Sequence, residues 1–203
     1  MAEHLEEVDL PVRRPLEGRK KRIDHVYFMK SGIASVVANG GSKPSIEVGI
    51  IGREGMTGIA IVLGHDRAVH ETYMQMPGKG LRIRADDLRK AMEKSPSLQN
   101  ALKRFVHAFL MQTTSTALAN GRSKIEERLA RWLLMAHDRV DGSKLQLTHE
   151  FLGLMLGVQR PGVTVAVRAL VRAGMITTQR SSITIVDRKA LEKSSNGTYV
   201  PAE

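Results

Sequence analysis

Near the C-terminal end of the chain, four side chains with hydrogen-bond donors recur at every fourth position. They are Arg160, Thr164, Arg168 and Arg172. Residues four apart lie on one face of an α-helix, so this spacing predicts a single donor-bearing stripe. Guanidinium groups form two-point hydrogen bonds with phosphate oxygens and with the edge of guanine, and hydroxyl groups bond to either. The pattern therefore predicts a surface that binds nucleic acid.

The charge around this stripe supports the interpretation. Residues 151–186 contain the three stripe arginines and Arg180 but no Asp or Glu, in a chain of 203 residues with a formal net charge of +10. A basic composition alone indicates a polyanionic partner only weakly. A local cationic surface that coincides with a helical stripe indicates it more strongly.

A helix-turn-helix is predicted to position the stripe. Thr148 is of the residue type that caps a helix N-terminus, and the mostly apolar residues 151–156 follow it. Gly157 can end that helix in the left-handed conformation, and Val158 can plug the turn. Pro161 then suits the first turn of a second helix, because its φ is already helical.

A wing is predicted to follow the second helix. Gly174 closes the helix, and the flanking residues alternate in polarity around Arg180 as two short strands would. Helix, turn, helix and wing is the arrangement that places a recognition helix in the DNA major groove. A helix-turn-helix pattern alone also fits a corner of two helices in a core, but the stripe and the wing favour DNA. The predicted DNA-contacting residues are Thr148, Gln159, Arg160, Thr164, Arg168, Arg172 and Arg180.

The first 85 residues predict β-structure. Apolar runs of strand length occupy residues 25–28, 33–38, 45–51, 72–76 and 80–83, with turn signals between them. Among these signals, Asn39-Gly40 suits a hairpin turn because both residues adopt positive φ readily. Several short strands separated by turns predict a small antiparallel barrel or jelly roll.

After residue 86 the apolar pattern becomes helical, which predicts a long helix over residues 97–119. Such an apolar stripe needs a partner, so we assign it to a homodimer interface. The stripe consists of Leu98, Leu102, Phe105 and Phe109.

The next helix is predicted to begin after a hinge. Asn120-Gly121 should interrupt the long helix, and Ser123 with Glu126 fits a capping box at a new helix start. The predicted organisation is an effector-type barrel domain (residues 1–96), a dimerisation helix with its hinge (97–122) and a winged helix-turn-helix domain (123–203).

Five residues of the C-terminal motif, followed by the wing, resemble the DNA-binding domain of the Crp-Fnr family of bacterial transcription regulators. They are Thr148, Gly153, Gly157, Arg160 and Val163. Upstream, residues 23–37 resemble the first hairpin of that family's effector barrel, and residues 52–58 also match the barrel. The resemblance implies an α+β chain with a cyclic-nucleotide-binding-like β-barrel (jelly roll), a long dimerisation helix and a C-terminal winged helix-turn-helix. It also implies double-stranded DNA, a second copy of the chain and RNA polymerase as partners.

The chain differs from that family in three places. The family usually has a helical segment ahead of the barrel, whereas this chain begins almost at the first strand, so we expect a truncated N-terminus. Cyclic-AMP binders place a glutamate after a glycine, whereas Glu54 here precedes Gly55, and Arg67 is followed by alanine rather than Ser or Thr. These three residues are the candidate effector contacts, and cyclic AMP is not expected to bind strongly. Pro161 and Val165 replace Glu and Arg of the best-known members, so the operator should differ from theirs.

Other chemistries find little support. The chain has no cysteine, which excludes disulfides, thiolate zinc sites and cysteine-ligated iron-sulfur clusters. His65 and His70 have nearby acids, but their spacing in a predicted loop favours surface residues over metal ligands. No apolar run approaches the roughly 18 residues of a membrane helix, and the N-terminus has no apolar core of a signal peptide. We therefore expect a cytoplasmic protein with no membrane partner.

The sequence thus predicts a sequence-specific transcription regulator that acts as a homodimer on an inverted-repeat operator. It leaves open control by a small effector in the barrel. The alternative is a ligand-binding regulatory module whose C-terminal domain contacts protein rather than DNA. An enzyme ranks third, because no nucleophile and base can be paired by motif.

Overall fold

The computed structural model of the chain describes residues 2–39 and 45–201. These residues form two compact units. The N-terminal unit contains residues 2–38 and 49–111, and the C-terminal unit contains residues 39, 45–48 and 112–201. Each unit is described by itself below.

Two antiparallel sheets of jelly-roll type form the N-terminal unit. One sheet has the strand order β1-β7-β3 and the other β2-β6-β4-β5. The strands are β1 (Glu6–Leu10), β2 (Pro15–Glu17), β3 (His25–Met29), β4 (Ile33–Ala38), β5 (Ile46–Ile51), β6 (Glu71–Met76) and β7 (Gly78–Arg84). The five predicted strands are all present, whereas β1 and β2 were not predicted because both are short and β1 is rich in acidic residues.

The predicted first hairpin over residues 23–37 is wrong. β3 pairs with β7 and β4 pairs with β6, so the two strands belong to different sheets. At the corner between them Gly32 has a φ of 80°, and a Cβ on Gly78 would lie 2.1 Å from the carbonyl oxygen of Ser31. Two backbone segments cross here so closely that a side chain would not fit. Gly40 of the predicted Asn39-Gly40 turn lies outside the described residues.

Three helices complete the N-terminal core. They are α1 (Ile59–Val62), α2 (Ala85–Lys94) and α3 (Pro96–Arg122), of which α3 extends into the C-terminal unit. Leu88 of α2 and Leu102 of α3 are buried in one cluster with Val26 of β3. The predicted interruption at Asn120-Gly121 is wrong, because α3 continues through it to Arg122. A single exposed glycine costs only about 1 kcal/mol in a helix, too little to end one of 27 residues.

A central helix organises the C-terminal unit. The elements are α4 (Ile125–His137), β8 (Lys144–Gln146), α5 (His149–Leu156), α6 (Arg160–Arg172), β9 (Ile176–Gln179), β10 (Ser182–Ile185) and α7 (Arg188–Ser194). All the side chains of α4 from Leu129 to Ala136 are buried, and α4 packs against α5, α6 and α7. The predicted capping box of Ser123 with Glu126 is displaced by one residue. In the structure the carboxylate of Glu127 accepts a hydrogen bond from the backbone amide of Lys124 at 2.9 Å.

No single helix among the described residues is long and apolar enough to cross a membrane. Only α5 and α6 taken together reach that length and composition, as a pair bent by 101°.

Candidate nucleic-acid interface

The turn between α5 and α6 is built from local backbone constraints that the sequence predicted. The hydroxyl oxygen of Thr148 accepts the amide of Phe151 at 3.2 Å, which caps α5. Gly157 ends α5 with a φ of 61°, in the left-handed region that favours glycine. The amide of Val158 donates to the carbonyl of Gly153 at 3.0 Å. The 101° bend between the helices follows from this short turn, and it leaves one face of α6 open to solvent.

Helix α6 separates an apolar inner face from a cationic outer face. Val163, Ala166, Val167 and Leu170 are buried, whereas the side chains of Arg160, Arg168 and Arg172 are exposed. Since α4 and α5 cover the inner face, the arginines face solvent.

Thr164 lies in the same outer stripe, but its hydroxyl group contacts other residues of the domain. Its hydroxyl donates to the carbonyl of Arg160 at 3.1 Å and lies 3.3 Å from Nδ1 of His149. His149 begins α5, so this contact ties the two helices together at their outer surface. Sequence reasoning missed His149, because its partner is 15 residues away and no spacing rule connects them.

A three-stranded sheet forms the wing. Its order is β8-β10-β9, so the predicted pair of strands gains a third strand, β8. Arg180 and Ser181 form the tight turn between β9 and β10, where Ser181 has a φ of 55°. The side chain of Arg180 is exposed, as are those of the last three residues of β9. The wing therefore presents a second, smaller polar surface.

The four arginines of α6 and the wing carry uncompensated charge. None of Arg160, Arg168, Arg172 and Arg180 makes an ion pair within residues 2–39 and 45–201. Gln159 is exposed and occupies the N-cap position of α6, but its side chain does not cap the helix. The structure thus brings six predicted residues to α6, its cap and the wing, and it places Thr148 at the start of α5.

Two arginines of α4, half-buried Arg128 and buried Arg131, support the domain. Arg128 donates through Nη2 to the carbonyl of Leu156, the last residue of α5, and burial lowers its pKa. Arg131 donates to the carbonyl of Thr198 at 2.9 Å and to that of Gln112 at 3.1 Å. Burial lowers the pKa of Arg131 to about 10, although the charge of Glu47 raises it. These cations satisfy backbone carbonyls, so they are part of the scaffold rather than of the outer surface.

A second polar cluster holds the C-terminal segment against α4. Arg188 donates to Asp138 at 2.8 Å and to the hydroxyl of Tyr199 at 2.6 Å, and Tyr199 donates to Asp138 at 2.7 Å. Burial and the neighbouring Asp138 raise the pKa of Tyr199 to about 12. Burial, together with the charge of Arg188, lowers the pKa of His137. The cluster therefore combines a neutral phenol at Tyr199 with the ion pairs of Arg188 to Asp138 and Glu192.

The candidate effector residues each contact other residues of the chain. The carboxylate of Glu54 accepts the amide of Gly52 at 3.1 Å, and exposed Arg67 donates to the carbonyl of Lys20 at 3.0 Å. The ring of Phe105 fills the space beside Gly55, since a Cβ there would lie 2.1 Å from its Cε2 atom. These hydrogen bonds join Glu54 and Arg67 to backbone groups and not to each other.

Glu17 makes hydrogen bonds in the N-terminal unit that the sequence analysis did not predict. Glu17 accepts the amide of Gly58, which precedes α1, at 3.1 Å and the hydroxyl of Thr72 at 2.7 Å. Burial raises the pKa of Glu17, and these two hydrogen bonds oppose that shift.

Among the described residues, no group of three or more His, Cys, Asp or Glu side chains could hold a metal ion.

The predicted dimer stripe lies partly in the core of its own unit. Leu102 is buried in the core of its own unit, and Leu98 and Phe105 pack against that core. The apolar residues of α3 that remain exposed are Leu110, Met111 and Leu118, with exposed fractions of 59%, 48% and 51%. Periodicity identified an apolar helix face, but it could not tell which partner covers that face.

The comparisons with known proteins agree with this geometry. Residues 127–194 match the family model of the Crp-like helix-turn-helix domain. The matched range contains α5, α6 and the wing strands β9 and β10. The Crp-like domain therefore includes every predicted DNA-contacting residue.

Solved structures share the fold over nearly the whole chain. FixK2 of Bradyrhizobium japonicum is 15% identical, with a TM-score of 0.78 over 98% of this chain and 99% of its own. CLP of Xanthomonas campestris, described as a c-di-GMP-responsive global regulator, is 17% identical, with a TM-score of 0.70 over 90% and 94%. A CRP-family transcriptional regulator of Thermus thermophilus is 15% identical, with a TM-score of 0.78 over 97% and 100%. No curated protein matches the sequence at a significant level.

These matches confirm the predicted resemblance and fold. The chain has a β-rich unit like the cyclic-nucleotide-binding domain, a long helix and a Crp-like helix-turn-helix domain. The two sheets are of jelly-roll type rather than one closed barrel.

Proposed function

We propose that this protein is a transcription regulator that binds specific DNA sites as a homodimer, with α6 in the major groove. The observation that carries the proposal is the set of four exposed arginines without ion pairs on α6 and the wing. Their charge would be neutralised by phosphates and guanine edges, whereas a protein surface would have to supply several carboxylates. The Crp-like family of the domain supports a regulator rather than an enzyme.

Exposed apolar residues on α3 support the homodimer. Leu118 lies seven positions from Met111 and eight from Leu110, so the three side chains fall within about 100° of the helix circumference. A pair of such helices would bury this face, as in a coiled coil. Two recognition helices related by a two-fold axis would then read an inverted repeat with half-site centres roughly 10 bp apart. Bound there, the dimer would act through contact with RNA polymerase, which transcription in vitro with added polymerase can test.

Selection of binding sites from random double-stranded DNA tests the proposal. The full chain should enrich a two-fold symmetric motif, and its affinity for that motif should fall steeply with salt. Arg168→Ala with Arg172→Ala should weaken binding to every sequence, whereas Lys94→Ala, which removes an exposed charge from α2, should leave binding unchanged. If the chain binds no duplex DNA even at low salt, the C-terminal domain contacts another partner and the proposal is wrong.

Cyclic AMP is not proposed as a strong effector. Glu54 accepts the amide of Gly52, Arg67 donates to the carbonyl of Lys20, and the amide of Gly58 already donates to the carboxylate of Glu17. A phosphate bound at the amide of Gly58 would have to displace the carboxylate of Glu17 or lie beside its negative charge. CLP is described as responsive to c-di-GMP, so that nucleotide belongs beside cyclic AMP in any test of the effector.

A further inference from the structure

The outer face of α6 carries an apolar row beside the cationic stripe. An α-helix turns by about 100° per residue, so positions 161, 165 and 169 form a row next to 160, 164, 168 and 172. This row consists of Pro161, Val165 and Ala169. Pro161 and Val165 are exposed and Ala169 is half-buried. The apolar row thus lies on the same solvent-facing side as the arginines.

Val165 contributes little to folding. Its side chain is 56% exposed in the middle of the helix, while the inner face is already filled by Val163, Ala166 and Val167. A β-branched residue also lowers helix propensity relative to alanine. An exposed valine at the centre of a recognition helix therefore calls for an explanation other than stability.

The chemistry of the major groove provides one. Its polar edges are hydrogen-bond donors and acceptors, and its one distinctive apolar group is the C5-methyl of thymine. Valine has one strongly preferred χ1 rotamer in a helix, so its two methyl groups are held in place before DNA binds. An exposed valine between arginines is thus suited to contact a thymine methyl and unsuited to any polar base edge.

We infer that Val165 is a specificity-determining residue that reads an A·T pair through the thymine C5-methyl group. This inference rests on the proposed function, since it assumes that α6 enters the major groove. Val165 is five residues beyond Arg160, or about 7.5 Å along the helix. The A·T pair should therefore lie within about two or three base pairs of the pair that Arg160 contacts, at 3.4 Å per step.

Replacement of thymine by deoxyuridine tests the inference, because it removes only the methyl group. On the selected operator, each thymine is replaced in turn, symmetrically in both half-sites. At one position the Kd of the wild-type protein should rise about fourfold per half-site, which corresponds to the roughly 0.8 kcal/mol of one buried methyl-sized group. Val165→Ala should bind the thymine and deoxyuridine operators equally. Val171→Ala, at another exposed valine of α6, should keep the wild-type response.

The outcomes separate this inference from the proposed function. If the wild-type protein selects a motif but tolerates deoxyuridine at every thymine, the DNA-binding function holds and the role of Val165 is wrong. The role is equally wrong if Val165→Ala discriminates against deoxyuridine as the wild type does. Binding of the Val165→Ala variant to DNA shows at the same time that it is folded. Failure of the wild type to bind any duplex would overturn the proposed function itself.

Discussion

At the scale of single residues, the exposed arginines of α6 are not equivalent. Arg160 stands at the first position of the helix, and Arg172 is its last residue. In helix-turn-helix proteins the N-terminal residues of the recognition helix contact base edges. An arginine at the far end of the helix meets the phosphate backbone instead, where it contributes to affinity but not to sequence preference.

Arg160→Ala should therefore change which DNA is bound, whereas Arg172→Ala should change only how tightly. We expect Arg160 to donate two hydrogen bonds to a guanine, a contact worth roughly 1–3 kcal/mol of discrimination. Site selection with the Arg160→Ala variant should show no preference at one symmetric G·C pair. The Arg172→Ala variant should select the wild-type motif, with a salt slope smaller by about 0.9 for the lost phosphate contact.

The two variants act as controls for each other, because each removes one exposed arginine from the same helix. An unchanged motif for Arg160→Ala would mean that the register of α6 in the groove differs from the one proposed.

At the scale of elements, α3 shows how one amphipathic pattern serves two different surfaces. Leu98, Leu102 and Phe105 in its first half are taken up by the core of the N-terminal unit. Farther along the helix, Leu110, Met111 and Leu118 remain exposed. We propose that the dimer interface is centred on these three exposed residues rather than on Leu98, Leu102 and Phe105. Phe109, which is half-buried, stays a candidate at its edge.

Leu110→Glu with Leu118→Glu should convert the dimer into a monomer. Each leucine buried between two helices contributes roughly 1.5–3 kcal/mol, and four glutamates in the interface would also repel one another. Analytical ultracentrifugation at micromolar concentration should show the mass of one chain for the variant and of two chains for the wild type.

The matched control places the same charges elsewhere on α3. Ala101 and Asn120 are exposed and lie about 130° around the helix from the centre of the exposed stripe. Ala101→Glu with Asn120→Glu should remain a dimer. A leucine variant that still sediments as a dimer, with unchanged helix content, would show that the subunits pair through another surface.

At the scale of the whole molecule, the fold resembles that of CLP, described as responsive to c-di-GMP, while Glu54 and Gly55 stand in the reverse of the order expected for cyclic-AMP binders. We expect no submicromolar binding of cyclic AMP by isothermal titration calorimetry, and less than a twofold change in DNA affinity when it is added. The physical reason is that Glu17 bonds to the amide of Gly58 and Arg67 to the carbonyl of Lys20. The same titration with c-di-GMP provides the comparison ligand. Submicromolar binding of cyclic AMP would contradict this prediction, and Glu54 and Arg67 would then be the first residues to replace.

Much of the Crp-like domain could be predicted because its determinants are local. A threonine cap, a glycine with positive φ and a proline in the first turn act within four or five residues of their partners, so their order in the chain is enough. The alternation of apolar and charged residues along α6 likewise identifies its two faces without knowledge of what covers them. The arginine stripe, the turn and the wing strands follow from the sequence for this reason.

Only the tertiary structure determined the strand pairings and side-chain contacts between residues that are far apart in the chain. The pairing of β3 with β7 rather than β4 joins residues more than 50 positions apart, and strand pattern alone does not specify such a partner. The contacts of Glu17 with Thr72 and of Thr164 with His149 have the same origin. Periodicity also could not show that the core takes Leu102 and leaves Leu118 exposed. A pattern of residue types determines which faces must be buried, whereas the path of the whole chain determines what buries them.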